Sequence, residues 1–226
     1  MKHLAITTLF VMVPGILFAD QAIYIDQTGE NLNATIVQKS GDGNSIGDIT
    51  NNDKYFYLDG DNMTLSFSME GDYNKLVGSI DSDYFDFILN QIGDSNLFNI
   101  TATLSDTSTL EWNIIGSGNE VYLAMGQESS AAYSIMTYNV TGDYNMFNIA
   151  IDADGTIDTM TMNGDSNTYD ITQTGYGNSL DGHSITIDTT GSLNEVTILQ
   201  ETTTAASTID MVINGSNQVI SITQSD

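Results

Sequence analysis

The sequence predicts an all-β protein built as a single β-solenoid of roughly nine two-strand rungs, with a period of about 22–24 residues. Three observations support this prediction. A short glycine motif recurs along the chain, apolar residues alternate with polar ones on both sides of it, and the composition includes 20 Gly but only 1 Pro. We see no linker and no shift in composition, so we expect one solenoid domain over residues 20–226.

The first 19 residues have the layout of a secretory signal peptide. Lys2 precedes a largely apolar run that ends at Phe18, and the acidic part of the chain begins at Asp20. The run is shorter than the stretch of about 20 residues that a membrane-spanning helix needs. We therefore expect residues 1–19 to be removed, leaving a mature chain without a membrane span at a secreted, extracellular or cell-surface location.

The glycine motif sets the period of the repeat. It reads Gly-(Asp/Ser)-x-Asn, and the glycines from Gly71 to Gly215 are 22 to 27 residues apart. Glycine permits the positive φ angles of tight turns, and Asp or Ser beside it suits turn geometry. Variants of the motif begin at Gly29, Gly41, Gly60, Gly175 and Gly215. The turn and ladder positions selected on this basis are Gly71, Asn74, Gly93, Asn96, Gly116, Asn119, Gly142, Asn145, Gly164, Asn167, Gly175, Asn178, Gly191 and Asn194.

Apolar residues alternate around each glycine with the period of a strand that has one buried face. Positions five, seven and nine after Gly142 are Phe147, Ile149 and Ile151, separated by polar or small residues. Gly29 and Gly60 are predicted to be equivalent to the other glycines, because the same offsets give mostly apolar residues there too. Each glycine is thus predicted to lie in a turn between two strands that face the core.

Composition excludes several classes of function. The chain has 30 acidic residues against 4 basic ones, a formal net charge of −26, and no Cys. Without a basic surface it is not expected to bind nucleic acid or an anionic bilayer. Without cysteine it has no disulfides, no thiol chemistry and no Cys-based metal site.

Residues that could support catalysis or metal binding are sparse. The only His after residue 19 is His183, in a Gly-rich stretch where we expect a solvated turn, so we do not expect an enzyme. Residues 152–155 resemble part of a calcium-binding EF-hand loop. In that alignment, however, the first and last ligand positions fall on Ala150 and Thr161. We expect no cofactor, and only weak Ca²⁺ binding by the acidic turns.

Two segments match the Gln-x-Gly-x-x-Asn core of the curlin repeat, Gln91–Asn96 and Gln173–Asn178, and the stretch from Gln27 to Gly29 is similar. The chain therefore resembles the curli family. The resemblance implies a secreted subunit of bacterial surface amyloid fibres, with rungs of two strands and with Asn and Gln ladders along the stack. The glutamines that it selects are Gln27, Gln38, Gln91, Gln173, Gln200 and Gln224.

The resemblance also implies partners and a biological role. These are self-association into fibres for cell adhesion and biofilm matrix, a nucleator or a major fibre subunit, and outer-membrane export machinery. The uncharged alternating segment Gln218–Gln224 suits cross-β pairing at an open end. Stacked turn acids such as Asp72 and Asp94, or Asp143 and Asp165, would repel one another, so we expect assembly to be slow at low ionic strength and faster in salt.

Two other functions remain open from the sequence. The first is a non-fibrillar β-solenoid binding module, a cell-surface or virus-fibre adhesin that recognises a receptor or glycan. The second is ice binding, which the Thr-rich segments around Thr159 and Thr186 suggest. The threonines do not repeat from rung to rung as one ladder, which argues against the second.

Overall fold

The computed structural model describes residues 9–14, 22–23, 25–39, 43, 45–47, 56–104, 107–126, 133–152, 156–175, 183–201 and 207–225. In these ranges the chain forms strands and turns, and it contains no helix long and apolar enough to cross a membrane. The strands are β1 (Leu9–Pro14), β2 (Ala22–Ile23), β3 (Asp26–Thr28), β4 (Asn33–Lys39), β5 (Ser45–Ile46), β6 (Phe56–Asp59), β7 (Met63–Glu70), β8 (Lys75–Ser82), β9 (Phe85–Ile92), β10 (Leu97–Leu104), β11 (Thr107–Ile115), β12 (Glu120–Met125), β13 (Tyr133–Thr141), β14 (Met146–Asp152), β15 (Thr156–Asn163), β16 (Thr168–Thr174), β17 (Ser184–Thr190), β18 (Glu195–Glu201), β19 (Thr208–Asn214) and β20 (Val219–Ser225).

The strands form two parallel sheets that the chain visits alternately. Sheet A has the order β1-β4-β7-β9-β11-β13-β15-β17-β19, and sheet B the order β2-β5-β8-β10-β12-β14-β16-β18-β20, with β3 paired to β6 and β6 to β8. Every pairing in the sheets is parallel, and each strand lies beside the strand one rung earlier. The protein is an all-β solenoid, which confirms the fold predicted from the repeat.

The number of regular rungs differs slightly from the prediction. Seven two-strand rungs run from β7 to β20 and make six full turns, fewer than the nine expected. In the two levels before them, the sheet B strand is divided into short pieces, β2 with β3 and β5 with β6. Strand β1 pairs with β4, and it lies within the segment predicted to be removed.

The core lies between the sheets and is filled by the alternating residues. Phe98, Val121 and Phe147 are fully buried, as is Trp112. Six aromatic rings form a continuous series through the core, with successive ring centroids 5.1 to 6.5 Å apart. They are Phe67, Phe87, Trp112, Tyr138, Phe147 and Tyr169. Burial of such apolar area is the main favourable term in folding.

The alignment on glycine is wrong for two of the variants. Gly29 and Gly60 lie in turns that lead from sheet B to sheet A, whereas Gly71 and its equivalents lead from sheet A to sheet B. Gly60 would place a Cβ 2.0 Å from the carbonyl oxygen of Gly29, so these two glycines stack on each other at the opposite edge of the solenoid. The same offsets give apolar residues after all these glycines because the turns at both edges are followed by strands in which inward and outward residues alternate.

Candidate assembly site

A column of glycines lines the edge where the chain passes from sheet A to sheet B. A Cβ built on Gly142, whose φ is 135°, would lie 2.0 Å from the carbonyl oxygen of Gly116. The rungs are therefore too close at this edge for any other residue. The same close approach links the successive members Gly71, Gly93, Gly116, Gly142, Gly164, Gly191 and Gly215.

The third turn residue is also left-handed, which the motif did not predict. Tyr73 and Tyr144 have φ angles of 59° and 58° and are among the most exposed side chains, and Leu193 has a φ of 60°. In one rung this position is Gly118, with a φ of 66°. Residues other than glycine adopt this region at a cost of about 1–2 kcal/mol, so the stack of turns imposes it.

The six motif asparagines form one buried ladder. Asn96 donates its backbone N–H to the Oδ1 of Asn119 at 3.0 Å, and Asn119 donates in the same way to Asn145 at 2.9 Å. The same bond runs from Asn74 to Asn96 and from Asn145 to Asn167. Each side chain thus satisfies a backbone donor of the rung before it, as buried polar groups require. The ladder members are Asn74, Asn96, Asn119, Asn145, Asn167 and Asn194, each at most 1% exposed.

Hydrogen bonds between side-chain amides reinforce this ladder, and in the last rung a glutamine replaces the asparagine. Nδ2 of Asn119 donates to Oδ1 of Asn145 at 3.0 Å. The buried Nδ2 of Asn145 has no partner among the described residues. In the last rung, Gln218 stands where the motif would place Asn, and its Nε2 donates to the carbonyl of Gly191.

Glutamines form a second ladder in the last three rungs of sheet B. Nε2 of Gln200 donates to Oε1 of Gln173 at 3.0 Å, and Nε2 of Gln224 donates to Oε1 of Gln200 at 3.1 Å. Gln173 and Gln200 are fully buried. Like the asparagines, these side chains satisfy each other because identical residues lie one above another in register.

The remaining predicted glutamines are not joined to this ladder. Gln38 and Gln91 belong to one column of sheet A, but Met69 lies between them. Neither amide atom of Gln38 has a partner in the part of the chain that the structure describes, while Gln91 donates to the carbonyl of Gly71 at 3.3 Å. Gln27 lies in sheet B opposite Leu58.

Gly175 does not join the glycine column. Gly175 follows β16 and begins the connection from sheet B to sheet A, and its φ of 122° places it in a turn at that edge. Asn178 lies outside the described residues. Residues 153–155 of the stretch considered for calcium also lie outside them, and the described part contains no group of three or more His, Asp or Glu side chains able to hold a metal ion.

The turn acids stack as predicted, and their carboxylates accept backbone hydrogen bonds. Oδ1 of Asp72 accepts the N–H of Asp94 at 2.7 Å, and Oδ1 of Asp143 accepts the N–H of Asp165 at 2.6 Å. Serine interrupts the column between the two pairs, since the N–H of Asp143 is accepted by Oγ of Ser117. Hydrogen bonds to the charged form stabilise it, which offsets part of the repulsion.

The structure contains a second asparagine ladder, on the outer face of sheet A. Nδ2 of Asn113 donates to Oδ1 of Asn90 at 3.0 Å, and Nδ2 of Asn139 donates to Oδ1 of Asn113 at 2.8 Å. All three precede a motif glycine by three residues. That shared offset indicates the ladder in the sequence, whereas the alternation of apolar residues marks only the inward positions.

His183 is not the solvated turn residue that we expected. It is 1% exposed, and its Nδ1 lies 2.9 Å from Oγ1 of Thr156. Nε2 of Gln173 donates to Oγ1 of Thr156 and to Oδ2 of Asp158, which joins these residues into one polar network inside the core. The prediction failed because residue 183 continues an inward column of Ser and Thr side chains at the N-terminal ends of the sheet A strands.

The buried position of Asp158 is a second correction, because we expected all acidic side chains to lie on a solvated face. It is 3% exposed, and its Oδ1 has no partner among the described residues. Burial raises the pKa of this carboxyl from 3.8 to about 8, and the hydrogen bond from Gln173 opposes that rise. Burial holds the pKa of nearby Tyr138 well above its ordinary value, and the Asp158 charge adds to that rise.

The last rung presents its inward positions to solvent. Ile222 is 47% exposed, although Ile198, directly before it in the same column, is 1% exposed. Every residue of β20 is exposed, including Val219 and Ile220, and Val212 and Ile213 of β19 are also exposed. This face combines apolar side chains with the outer edges of β19 and β20, which pair with no further strand among the described residues. Another strand can form hydrogen bonds on such edges.

We found no match to this chain among protein-family models, curated proteins or solved structures.

Proposed function

We propose that the protein is a secreted structural subunit of extracellular curli-like amyloid fibres, serving cell adhesion and biofilm matrix. The observation that carries the proposal is the last rung, whose apolar columns and strand edges are exposed while the same columns are buried one rung earlier. Adding a rung from another copy would bury these side chains and pair these backbone groups. The curlin-like motif and the predicted signal peptide support export to the cell surface.

The stacked asparagines and glutamines support the same proposal. Ladders of identical amides repeat from rung to rung, which is typical of cross-β assemblies. Here they run inside one chain, and the glutamine ladder reaches Gln224 in the last rung, so a copy added in register can extend that ladder with the same bonds. The fibre is proposed to form by repetition of the intramolecular contacts. The further partners would be a nucleator or major fibre subunit and outer-membrane export machinery.

Electron microscopy with thioflavin fluorescence tests the proposal on the chain beginning at Asp20 and on the full chain. Each is incubated at low and high NaCl, with and without Ca²⁺. Unbranched, dye-positive fibres are expected, growing faster in high salt because the Debye length falls from about 10 Å at 0.1 M to about 3 Å at 1 M. Monodisperse particles in every condition would contradict it and favour the alternative, a non-fibrillar module that binds a receptor or glycan.

A further inference from the structure

We propose that copies of this chain join head to tail, with β20 of one copy pairing in parallel with β2 and β3 of the next so that residue 224 lies beside residue 27. The inference rests on the proposed function and specifies which two ends meet and in what register. It follows from the strand register of the chain itself, in which the two ends of sheet B carry the same residues at the same positions.

One column of sheet B begins and ends with glutamine. Strand pairing connects its members in order, each to the residue one level further along. They are Gln27, Leu58, Ile80, Ala102, Met125, Ile151, Gln173, Gln200 and Gln224. The intervening five positions are apolar. A next level that begins with Gln27 continues the glutamine series, whereas any of the five apolar levels would end it.

The neighbouring columns match as well. The inward positions of β20 are Ile220, Ile222 and Gln224, and residues 23, 25 and 27 repeat them as Ile, Ile and Gln. Residues 23 and 27 lie in the same columns as 220 and 224 through the chain of strand pairings, and Tyr57 donates its N–H to the carbonyl of Ile25 at 2.8 Å. The central levels differ, with Phe98, Ile100 and Ala102 in β10 as an example.

Sheet A fits the same junction. Ile209, Met211 and Ile213 of β19 belong to the columns that begin, in β4, with Ala34, Ile36 and Gln38. In the full chain, β1 holds that edge of β4, with Val11 opposite Ile36. The edge becomes open to β19 of another copy when the segment containing β1 is removed, so the junction forms in the chain that begins at Asp20.

Disulfide trapping tests the register, because the chain has no Cys of its own. Thr28→Cys and Ser225→Cys each replace an exposed residue that follows one of the two glutamines. In the proposed junction their Cα atoms are about 5 Å apart, within the 4.4–6.8 Å that disulfides span. The matched control pairs Thr28→Cys with Ser221→Cys, which is exposed on the same face of β20 but about 13 Å away along the strand.

The two variants are made on the chain beginning at Asp20, mixed in equal amounts, assembled and oxidised. We expect at least tenfold more disulfide-linked dimer from Thr28→Cys with Ser225→Cys than from the control pair or from either variant alone. Dye-positive fibres in which the control pair links equally well, or in which no pair links, would overturn the junction and leave the proposed function standing. If the unmodified chain forms no fibres, the proposed function fails, and the junction fails with it.

Discussion

Oδ1 of Asn119 accepts two hydrogen bonds from Asn96, one from its backbone N–H at 3.0 Å and one from its Nδ2 at 2.8 Å. Both residues are at most 1% exposed. One side-chain oxygen therefore holds two buried donors of the preceding rung. Its removal leaves the backbone N–H of Asn96 without an acceptor, while Nδ2 keeps its hydrogen bond to the carbonyl of Gly93 at 2.9 Å. Leaving a buried donor unsatisfied costs about 1–3 kcal/mol, so this ladder has a testable effect on stability.

Replacing Asn119 with Ala should lower the free energy of unfolding by about 2 kcal/mol, because the buried backbone N–H of Asn96 loses its acceptor inside the core. The matched control is Asn113→Ala. Asn113 also bridges two asparagines of neighbouring rungs, but on the exposed face, where water replaces the lost bonds; a change within about 0.5 kcal/mol is expected. Denaturant unfolding of the unassembled chain measures both, and equal losses for the two variants would contradict a structural role specific to the buried ladder.

Gly142→Ala should destabilise the protein by about 3 kcal/mol or more, because the new Cβ meets the carbonyl of Gly116 and φ is 135°. Gly118→Ala is the comparison. The φ there is 66°, and the nearest atom to a new Cβ is Oγ of Ser95 at 3.7 Å. A loss of about 1 kcal/mol is expected at Gly118. Thermal or chemical unfolding that ranks the two variants in the opposite order would refute the close stacking of this edge.

Ser117→Asp should slow assembly and destabilise the monomer at low salt. It fills the gap in the acidic column, so that five carboxylates from Asp72 to Asp165 follow one another at about 5 Å. Two new neighbours at that distance cost about 2 kcal/mol when weakly screened. The neutral control Ser117→Asn retains a side-chain acceptor for Asp143. Growth and unfolding are compared at 10 mM and 1 M NaCl, and a defect that persists in 1 M salt would show that charge is not its cause.

Asp158 predicts a pH dependence of stability. Its pKa is about 8 in the folded protein against 3.8 for the unperturbed carboxyl, so between these values the native state binds more protons. The free energy of unfolding should therefore be fully retained below about pH 4 and should fall as pH rises toward 8, by up to about 1.4 kcal/mol per pH unit. Asp158→Asn should remove this slope and raise stability at pH 8.

The control for this variant is Asp170→Asn, on the exposed face of β16, the next strand along the chain. It should retain the wild-type slope between pH 4 and 8. Unfolding midpoints across that range for the three proteins decide the matter. A wild-type slope that survives in Asp158→Asn would mean that another group is responsible.

Much of the fold could be predicted because each rung repeats the same local sequence pattern of a turn glycine followed by alternating apolar residues. The offsets from Gly142 to Phe147 and Ile149 specify an inward strand after a turn, whatever the neighbouring rung contains. The alternation of apolar and polar residues does not indicate which edge of the solenoid a turn occupies. For that reason the sequence pattern places Gly29 and Gly60 in the wrong column. Column membership depends on strand register, which requires the lengths of both turns in every rung.

The polar interior could not be predicted for the same reason. Asp158 and Thr156 lie two residues apart on the inward face of β15, but Gln173, which donates to both, comes from β16 in the other sheet. Only the stacked rungs bring them together with His183. The outer ladder through Asn113 was accessible from sequence, since its members share one offset from glycine.

The divided strands β5 and β6 make the N-terminal part of the solenoid easier to unfold locally than the C-terminal part. In a stack where each level contacts only its neighbours, stability is close to a sum of local terms, and opening starts at the weakest level. The level of β5 and β6 contributes only short pairings to β8, whereas β16, β18 and β20 pair along their whole length and carry the glutamine ladder. Amide hydrogens of β5 and β6 should therefore exchange with deuterium first, and those around β16 and β18 last, so that heating opens the molecule progressively from one side.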